Sequence, residues 1–253
     1  MFKLKWTPLL AVIVLVGCDQ TDSGSVATSQ IAADFKVIST SSDPDAKVMV
    51  TAKLTRTREF NAPQLELDPG DELTVTAAGV TTTLHRSPLL FVTQYEAEVD
   101  NASTHTQFVI AFNRVEDTSA PSSIAQLPDP FDISPMAASY HLGDTILLTW
   151  TAAVSEDEVM FYSHRTSCEV DDDTVEGTSF IARLVTGDTV DDGTLSLNID
   201  DFIYNVDRDT LVACEAHITL ERRQEGSVDP NFGAGGDFIA IQERSLEFEI
   251  VLP

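Results

Sequence analysis

A period-two alternation of apolar and polar side chains constrains the fold of this chain more than any other feature. It is plainest near the C-terminus, where Leu246, Phe248, Ile250 and Leu252 are separated by single residues, two of them glutamates. Successive side chains of a β-strand point to opposite faces, so this segment is expected to be a half-buried strand. From residue 31 onward no stretch has the spacing of an amphipathic helix. The sequence therefore predicts an all-β fold, with strands around residues 48–54, 73–77, 95–99, 108–112, 146–150, 159–163, 180–184, 195–199, 212–220 and 246–252.

The first eighteen residues have the composition of an export signal. Lys3 and Lys5 precede a short apolar run over residues 9–16, and a small residue precedes Cys18. A charged start, a short apolar run and small residues before the cleavage point are typical of secretory signals. The apolar run is far below the ~20 residues that a membrane-spanning helix needs. We therefore expect this segment to be removed rather than folded.

The tetrad Leu15, Val16, Gly17, Cys18 resembles the lipobox of bacterial lipoproteins. The resemblance implies that residues 1–17 are a signal peptide cleaved before Cys18. It also implies that the thiol and new amino group of Cys18 carry fatty acids such as palmitate, which would anchor the protein to a membrane. The alternatives are an ordinary secretory signal with an incidental cysteine and an unusually short membrane anchor.

The two residues that follow Cys18 indicate in which membrane the protein is expected. Asp19 and Gln20 resemble the signal that retains enterobacterial lipoproteins in the inner membrane. The resemblance implies a lipid-anchored protein of the bacterial cell envelope that faces the periplasm, on the inner rather than the outer membrane. Residues 18–30 are small and polar without apolar periodicity, which predicts an acylated, flexible tether.

The charge of the chain excludes some partners. The sequence has 15 Lys and Arg against 41 Asp and Glu, a formal charge of −26. Cleavage would remove Lys3 and Lys5 and make this charge −28. Binding to nucleic acid depends on Lys and Arg that neutralise phosphates, so nucleic acid is not an expected partner. The expected partners are the membrane, through the N-terminal lipid, and an unknown protein or glycan.

Two cysteines remain if Cys18 carries lipid. Cys168 and Cys214 are 46 positions apart, and an exported protein with two remaining cysteines is expected to have one disulfide. Closing such a loop stabilises the fold by roughly 4 kcal/mol in the chain-entropy model. The alternatives are two buried free thiols and a weak metal ligand. The sequence contains no Cys-x-x-Cys pair, which would indicate redox chemistry.

A proline-rich stretch divides the chain. Residues 118–135 contain four prolines and several serines, a composition that resists both helix and central strand. The sequence therefore predicts a first β-sandwich over residues 31–117, a linker over 118–135 and a second sandwich over 136–253. Two seven-residue segments are similar, because each has a Gly-Asp turn that leads into a predicted strand: Gly70–Thr76 and Gly143–Thr149. The similarity suggests two related units, but turn residues alone also give such matches by chance.

Short strands separated by turn residues favour two tandem immunoglobulin-like sandwiches. The second half resembles the Ig-like modules of bacterial surface proteins through Pro135, Gly143, Asp144 and Trp150. It departs from the antibody pattern because Trp150 precedes both cysteines.

Acidic clusters are the one constellation with metal-binding chemistry, because carboxylate oxygens suit calcium. Their spacing does not match a calcium-binding loop, and such acids are usually a solvated surface. No metal or other cofactor is therefore predicted, and calcium stays a low-ranked alternative. The candidate ligands are Asp171, Asp172, Asp173, Asp191 and Asp192, with Asp188, Asp200 and Asp201 nearby.

The sequence contains no catalytic motif that we recognise. The five histidines have no zinc-binding spacing, and neither a nucleophile elbow nor a phosphate-binding glycine loop is present. The glycine-rich run 233–236 predicts a mobile loop tip that exposes Phe232, the one residue proposed for binding.

Together these features predict a non-catalytic binding or scaffolding protein that acts through loops of its sandwiches. A solute or polysaccharide recognition module is the alternative, and an aromatic residue on an exposed loop would favour it. A hydrolase or an enzyme accessory factor with an unrecognised site is a third reading.

Overall fold

The computed structural model describes residues 20–43, 45–87, 92–100, 106–153, 159–170, 179–203 and 211–252. The prediction of an all-β fold is confirmed. Within these ranges the only helical segments are 3-10 turns at Ser23–Ser25, Thr28–Gln30 and Ile199–Ile203, and no helix is long and apolar enough to cross a membrane. The strands are β1 (Gln20–Asp22), β2 (Ala32–Ser39), β3 (Lys47–Thr55), β4 (Gln64–Glu66), β5 (Glu72–Ala77), β6 (Val80–Thr83), β7 (His85–Arg86), β8 (Tyr95–Asp100), β9 (Gln107–Asn113), β10 (Ala120–Gln126), β11 (Ser139–His141), β12 (Thr145–Thr149), β13 (Val159–Val170), β14 (Ser179–Val190), β15 (Thr194–Asn198), β16 (Leu211–Glu225) and β17 (Gly236–Val251).

One large sheet runs through both halves of the described chain. Its main path is β1-β4-β3-β2-β17-β16-β13-β14, and β7, β8 and β11 pair at its sides. A four-stranded sheet, β10-β9-β5-β6, covers its N-terminal half, and the β12-β15 pair covers its C-terminal half. The buried side chains therefore form two apolar cores on the same side of one sheet.

The strand β17 connects the two cores. Its first part, Gly236–Gln242, lies parallel to β2, and its last part, Glu249–Val251, lies parallel to β11. Phe238 and Ala240 belong to the first core, whereas Phe248 and Ile250 belong to the second. The C-terminal strand thus pairs with a strand of the N-terminal half. Two separate sandwiches divided at residues 118–135 would not have this pairing.

The segment predicted to be a tether is packed where the structure describes it. Arg114 has a side chain that is only 1% exposed, and its guanidinium donates to the carbonyls of Ser23 (2.6 Å) and Val26 (2.8 Å) and to the Thr28 hydroxyl (2.9 Å). Thr28 also donates its hydroxyl to the Thr118 carbonyl at 2.6 Å. These bonds hold residues 23–28 against the first core, so the expectation of flexibility is wrong for them.

The predicted linker contributes a strand. Ala120–Gln126 forms β10 at the edge of the four-stranded sheet and pairs with β9. Pro121 is tolerated there because the register shifts between Ala120 and Ser123, and an edge strand does not need every N–H group. Both Gly-Asp turns precede strands as predicted, and their glycines have positive φ angles of 102° at Gly70 and 85° at Gly143.

A buried ion pair lies between the two cores. Arg222 Nε donates to Asp191 Oδ2 at 2.6 Å and Arg222 Nη2 to Asp191 Oδ1 at 3.0 Å, with 2% and 0% of the side chains exposed. The Trp150 indole N–H donates to the same carboxylate at 2.7 Å. Arg222 also donates to the carbonyls of Asp129 and Thr151 and lies over the Phe131 ring. The guanidinium is thus satisfied on every side.

Candidate functional site

The predicted disulfide is present. Cys168 on β13 and Cys214 on β16 are directly opposite each other in the antiparallel register, and their sulfurs are bonded. Both lie in the second core. Because the bridge is buried among apolar side chains, its role is structural.

The calcium candidates do not come together as a site. Asp191 is buried in the ion pair with Arg222 and is not a solvated loop acid, while Asp192 accepts a hydrogen bond from the Thr194 amide at 2.9 Å. Asp171, Asp172 and Asp173 lie outside the described residues. Within the described ranges no group of three or more His, Cys, Asp and Glu side chains is placed to hold a metal ion.

The prediction that Phe232 is exposed is wrong. Its side chain is only 2% exposed, stacked on Phe112 at 6.0 Å and edge-on to Phe35 at 5.9 Å between ring centroids. The glycines that suggested a loose tip instead allow close packing. A Cβ at Gly233 would lie 2.4 Å from the Ser29 carbonyl oxygen, and one at Gly236 would lie 1.9 Å from that of Ala33.

The turn before Phe232 is held by Asp229. Its buried carboxylate accepts hydrogen bonds from the Ser122 amide (2.8 Å) and hydroxyl (2.6 Å) and from the Asn231 amide (2.8 Å). Burial raises the pKa of Asp229, but these hydrogen bonds outweigh it and leave the pKa below its usual value. The segment is therefore a fixed part of the first core.

Two histidines lie on opposite faces of the large sheet. His164 is buried against the Phe202 ring, and burial, followed by the charge of Arg183, lowers its pKa. His217 lies on the open face, with Nδ1 3.2 Å from Glu247 Oε1 and Nε2 3.1 Å from Thr219 Oγ1. The disulfide therefore does not bring the two imidazoles together.

Cys18 and Asp19 lie outside the described residues, and of Gln20 only the backbone position at the start of β1 is described. Lipidation and retention at the inner membrane therefore stay predictions.

A groove lies on the open face of the N-terminal half of the large sheet. Asp237, Asp34 and Lys53 form one row across β17, β2 and β3, and Ile239, Lys36 and Thr51 form the next. Neighbouring strands are about 4.8 Å apart, so these side chains are within one ligand's reach. The groove has a volume of about 440 Å³. We call it the Phe60 groove, after the residue at its rim.

The rim is the connection between β3 and β4. The Arg56 amide donates to the Pro63 carbonyl at 3.1 Å and the Ala62 amide to the Glu59 carbonyl at 3.0 Å, which closes the turn. Arg58 forms an ion pair with Asp237 across the groove. Phe60, at the tip, is 100% exposed. Burying such a side chain stabilises a protein or a complex by about 1.5–3 kcal/mol. The protein alone does not gain this free energy, but a ligand that covers Phe60 would.

The groove is balanced in charge although the protein is strongly acidic. Its lining has three basic side chains, three acidic ones and several neutral polar groups. Such a surface offers donors and acceptors for a neutral polar ligand and no excess charge for a polyanion. The charged lining residues are Lys36, Lys53, Arg58, Asp34, Glu59 and Asp237.

Phe60 was not among the residues predicted from the sequence to bind a ligand. The available signal was one aromatic residue within the polar run Arg56–Asn61, where the alternation of β3 stops. An aromatic side chain in such a turn has no apolar neighbours to bury it locally.

Comparisons with known proteins assign no family to the chain. No protein-family model matches it, and no curated protein sequence matches it. Among solved structures it is similar to SGBP-B of a mixed-linkage glucan utilization locus of Bacteroides ovatus, in complex with a mixed-linkage heptasaccharide. The identity is 6%, the alignment covers 96% of this chain and 69% of that one, and the TM-score of 0.21 is too low to support any argument.

Proposed function

We propose that this chain is a non-catalytic, lipid-anchored binding protein of the bacterial cell envelope, and that its ligand is a neutral glycan held in the Phe60 groove. The observation that carries the proposal is a fully exposed phenylalanine at the rim of a groove lined by balanced charges. Binding sites combine apolar or aromatic surface with a few polar groups that fix orientation. Sugars match this combination, because their C–H faces stack on a ring while their hydroxyls bond to charged and amide groups.

The charge of the whole protein narrows the glycan class. A formal charge of −26 repels polyanions at low ionic strength, so acidic polysaccharides are disfavoured. The ion pair of Arg58 with Asp237 leaves the groove without a free excess of either sign. A neutral polysaccharide is not repelled by the net charge, and it does not need an excess of charge in the groove.

Replacing Phe60 by alanine is expected to weaken glycan binding about tenfold, which corresponds to ~1.4 kcal/mol. Because Phe60 makes no buried contact, the free energy of unfolding should change by less than about 0.5 kcal/mol. The measurement is retardation in native gels that contain xyloglucan, galactomannan, arabinoxylan or barley β-glucan, with alginate as the acidic comparison. Val80→Ala, which trims another exposed apolar side chain on the four-stranded sheet, is the matched control.

Two results would contradict this proposal. Retardation of the unsubstituted protein by none of the neutral polysaccharides would remove the glycan as ligand and favour a protein partner at Phe60. Release of reducing ends from a bound polysaccharide would contradict the non-catalytic part.

The anchor is tested separately. Cells grown with an alkyne analogue of palmitate should label the protein, and Cys18→Ser should abolish the label and move the protein out of the membrane fraction. A label that survives Cys18→Ser would place the lipid elsewhere, and an unlabelled protein would favour an ordinary secretory signal.

A further inference from the structure

The open face of the large sheet continues beyond the Phe60 groove. Residues 214–225 of β16 pair with residues 239–250 of β17 without a register shift, so the odd-numbered side chains of β17 stay on one face. That face begins with Asp237 in the Phe60 groove and ends with Glu249 near the end of β17. The twelve steps from Asp237 to Glu249 span about 40 Å at ~3.3 Å per residue, and the face winds because strands twist.

A second cavity lies at the far end of this face. It has a volume of about 360 Å³. Arg165 is directly opposite His217 in the register of β13 and β16, and His217 is directly opposite Glu247 of β17. We call it the His217 cavity. Its polar lining residues are Arg165, Ser167, Glu215, His217, Glu247 and Glu249.

The His217 cavity is preorganised by hydrogen bonds. His217 contacts Glu247 Oε1 and Thr219 Oγ1, and Thr219 Oγ1 is 3.1 Å from Ser245 Oγ. These contacts fix the imidazole ring. The His217 side chain is 32% exposed, so a ligand can reach it. A fixed polar group loses less entropy when it binds a ligand hydroxyl than a mobile one does.

The middle of the face has an arginine stacked on an aromatic ring. Arg223 is opposite Ile241 of β17, and its guanidinium lies over the Phe161 ring at 4.2 Å. Both side chains line a third open cavity of about 490 Å³ on the same face. Next along β17, burial and then the Glu221 carboxylate raise the pKa of Glu243.

We propose that one extended neutral glycan chain follows β17 from the Phe60 groove, past the Arg223–Phe161 stack, to the His217 cavity. The inference rests on the proposed function and adds the form of the ligand, a polymer segment rather than a single sugar or chain end. A linear polymer fits because the three cavities lie on one face of the sheet, at successive positions along about 40 Å of β17 and β16. Repeated hydroxyls also match the repeated donors and acceptors along it.

The test compares ligand length with the position of the substitution. Disaccharides and long oligosaccharides are prepared from each neutral polysaccharide in the gel panel, and their affinities for the purified protein are measured by calorimetry. Long fragments should bind at least about tenfold more tightly than disaccharides, since they add contacts without a second loss of translational freedom. Arg165→Ala should weaken long fragments about tenfold and leave disaccharide binding unchanged.

Phe60→Ala should weaken fragments of both lengths. Arg86→Ala removes a surface arginine that pairs with Glu66 and lies outside the three cavities, so it should change neither affinity. Equal affinities for both lengths, or an Arg165→Ala variant that matches the unsubstituted protein, would overturn the extended mode and leave the Phe60 groove as a single-sugar site. Binding of no fragment and no polysaccharide would refute the proposed function itself.

Discussion

Replacing Arg222 by methionine is expected to lower the free energy of unfolding by about 3–5 kcal/mol, because it leaves the Asp191 carboxylate charged and buried without its partner. The Trp150 indole would be the one donor left among the three hydrogen bonds that now hold this carboxylate. Two carbonyls, of Asp129 and Thr151, would also lose their donor. The loss therefore combines an uncompensated charge with unsatisfied acceptors.

The double variant Arg222→Met/Asp191→Leu separates these causes. With both charges removed, the free energy of unfolding should recover in part, because an apolar pair of similar volume replaces a desolvated ion pair. Arg223→Met, one residue further on the exposed face, is the matched control and should change stability by less than about 1 kcal/mol. Urea unfolding followed by circular dichroism measures all three variants. A loss below about 1 kcal/mol for Arg222→Met would show that water or a rearrangement satisfies Asp191.

The all-β class and the positions of most strands follow from the sequence, since alternation is a local property. Leu246, Phe248, Ile250 and Leu252 alternate wherever the strand pairs. Their pairing is not local: β17 extends to Gly236, and its first half lies beside β2, some two hundred positions earlier. No periodicity encodes such a partner.

Phe232, which was predicted to bind a ligand, and Phe60, which was not, illustrate the same limit. Phe232 follows turn residues and precedes glycines, the pattern of a loop tip, but the distant rings of Phe35 and Phe112 pack against it, and it is buried. Phe60 has an equally polar neighbourhood, and no distant segment among the described residues covers it. Exposure of an aromatic residue in a turn is decided by tertiary contacts, which the sequence did not reveal.

The buried ion pair between Asp191 and Arg222 also could not be predicted from the sequence, for a physical reason. Asp191 belongs to an acidic stretch that is typical of a solvated surface, and Arg222 precedes another arginine. Long-range pairing of two charges inside a protein depends on geometry that no spacing rule supplies. The disulfide was predictable because an exported protein is expected to pair its cysteines, and the proposed lipidation of Cys18 leaves Cys168 and Cys214 as one pair.

Removing that disulfide is expected to lower the free energy of unfolding by roughly 4 kcal/mol, the value for closing a loop of 46 positions in the chain-entropy model. The double variant Cys168→Ala/Cys214→Ala is preferred to a single substitution, which would leave a reactive buried thiol. Urea unfolding of this variant and of the reduced protein should give similar losses.

A reducing agent supplies the internal control. It should destabilise the unsubstituted protein and leave the double variant unchanged, which separates the bridge from the packing of the two side chains. A double variant as stable as the oxidised protein would mean that β13 and β16 are held by their ladder and the second core alone. The bridge joins the strands that carry Arg165 and His217, so its loss should also weaken long glycan fragments more than disaccharides.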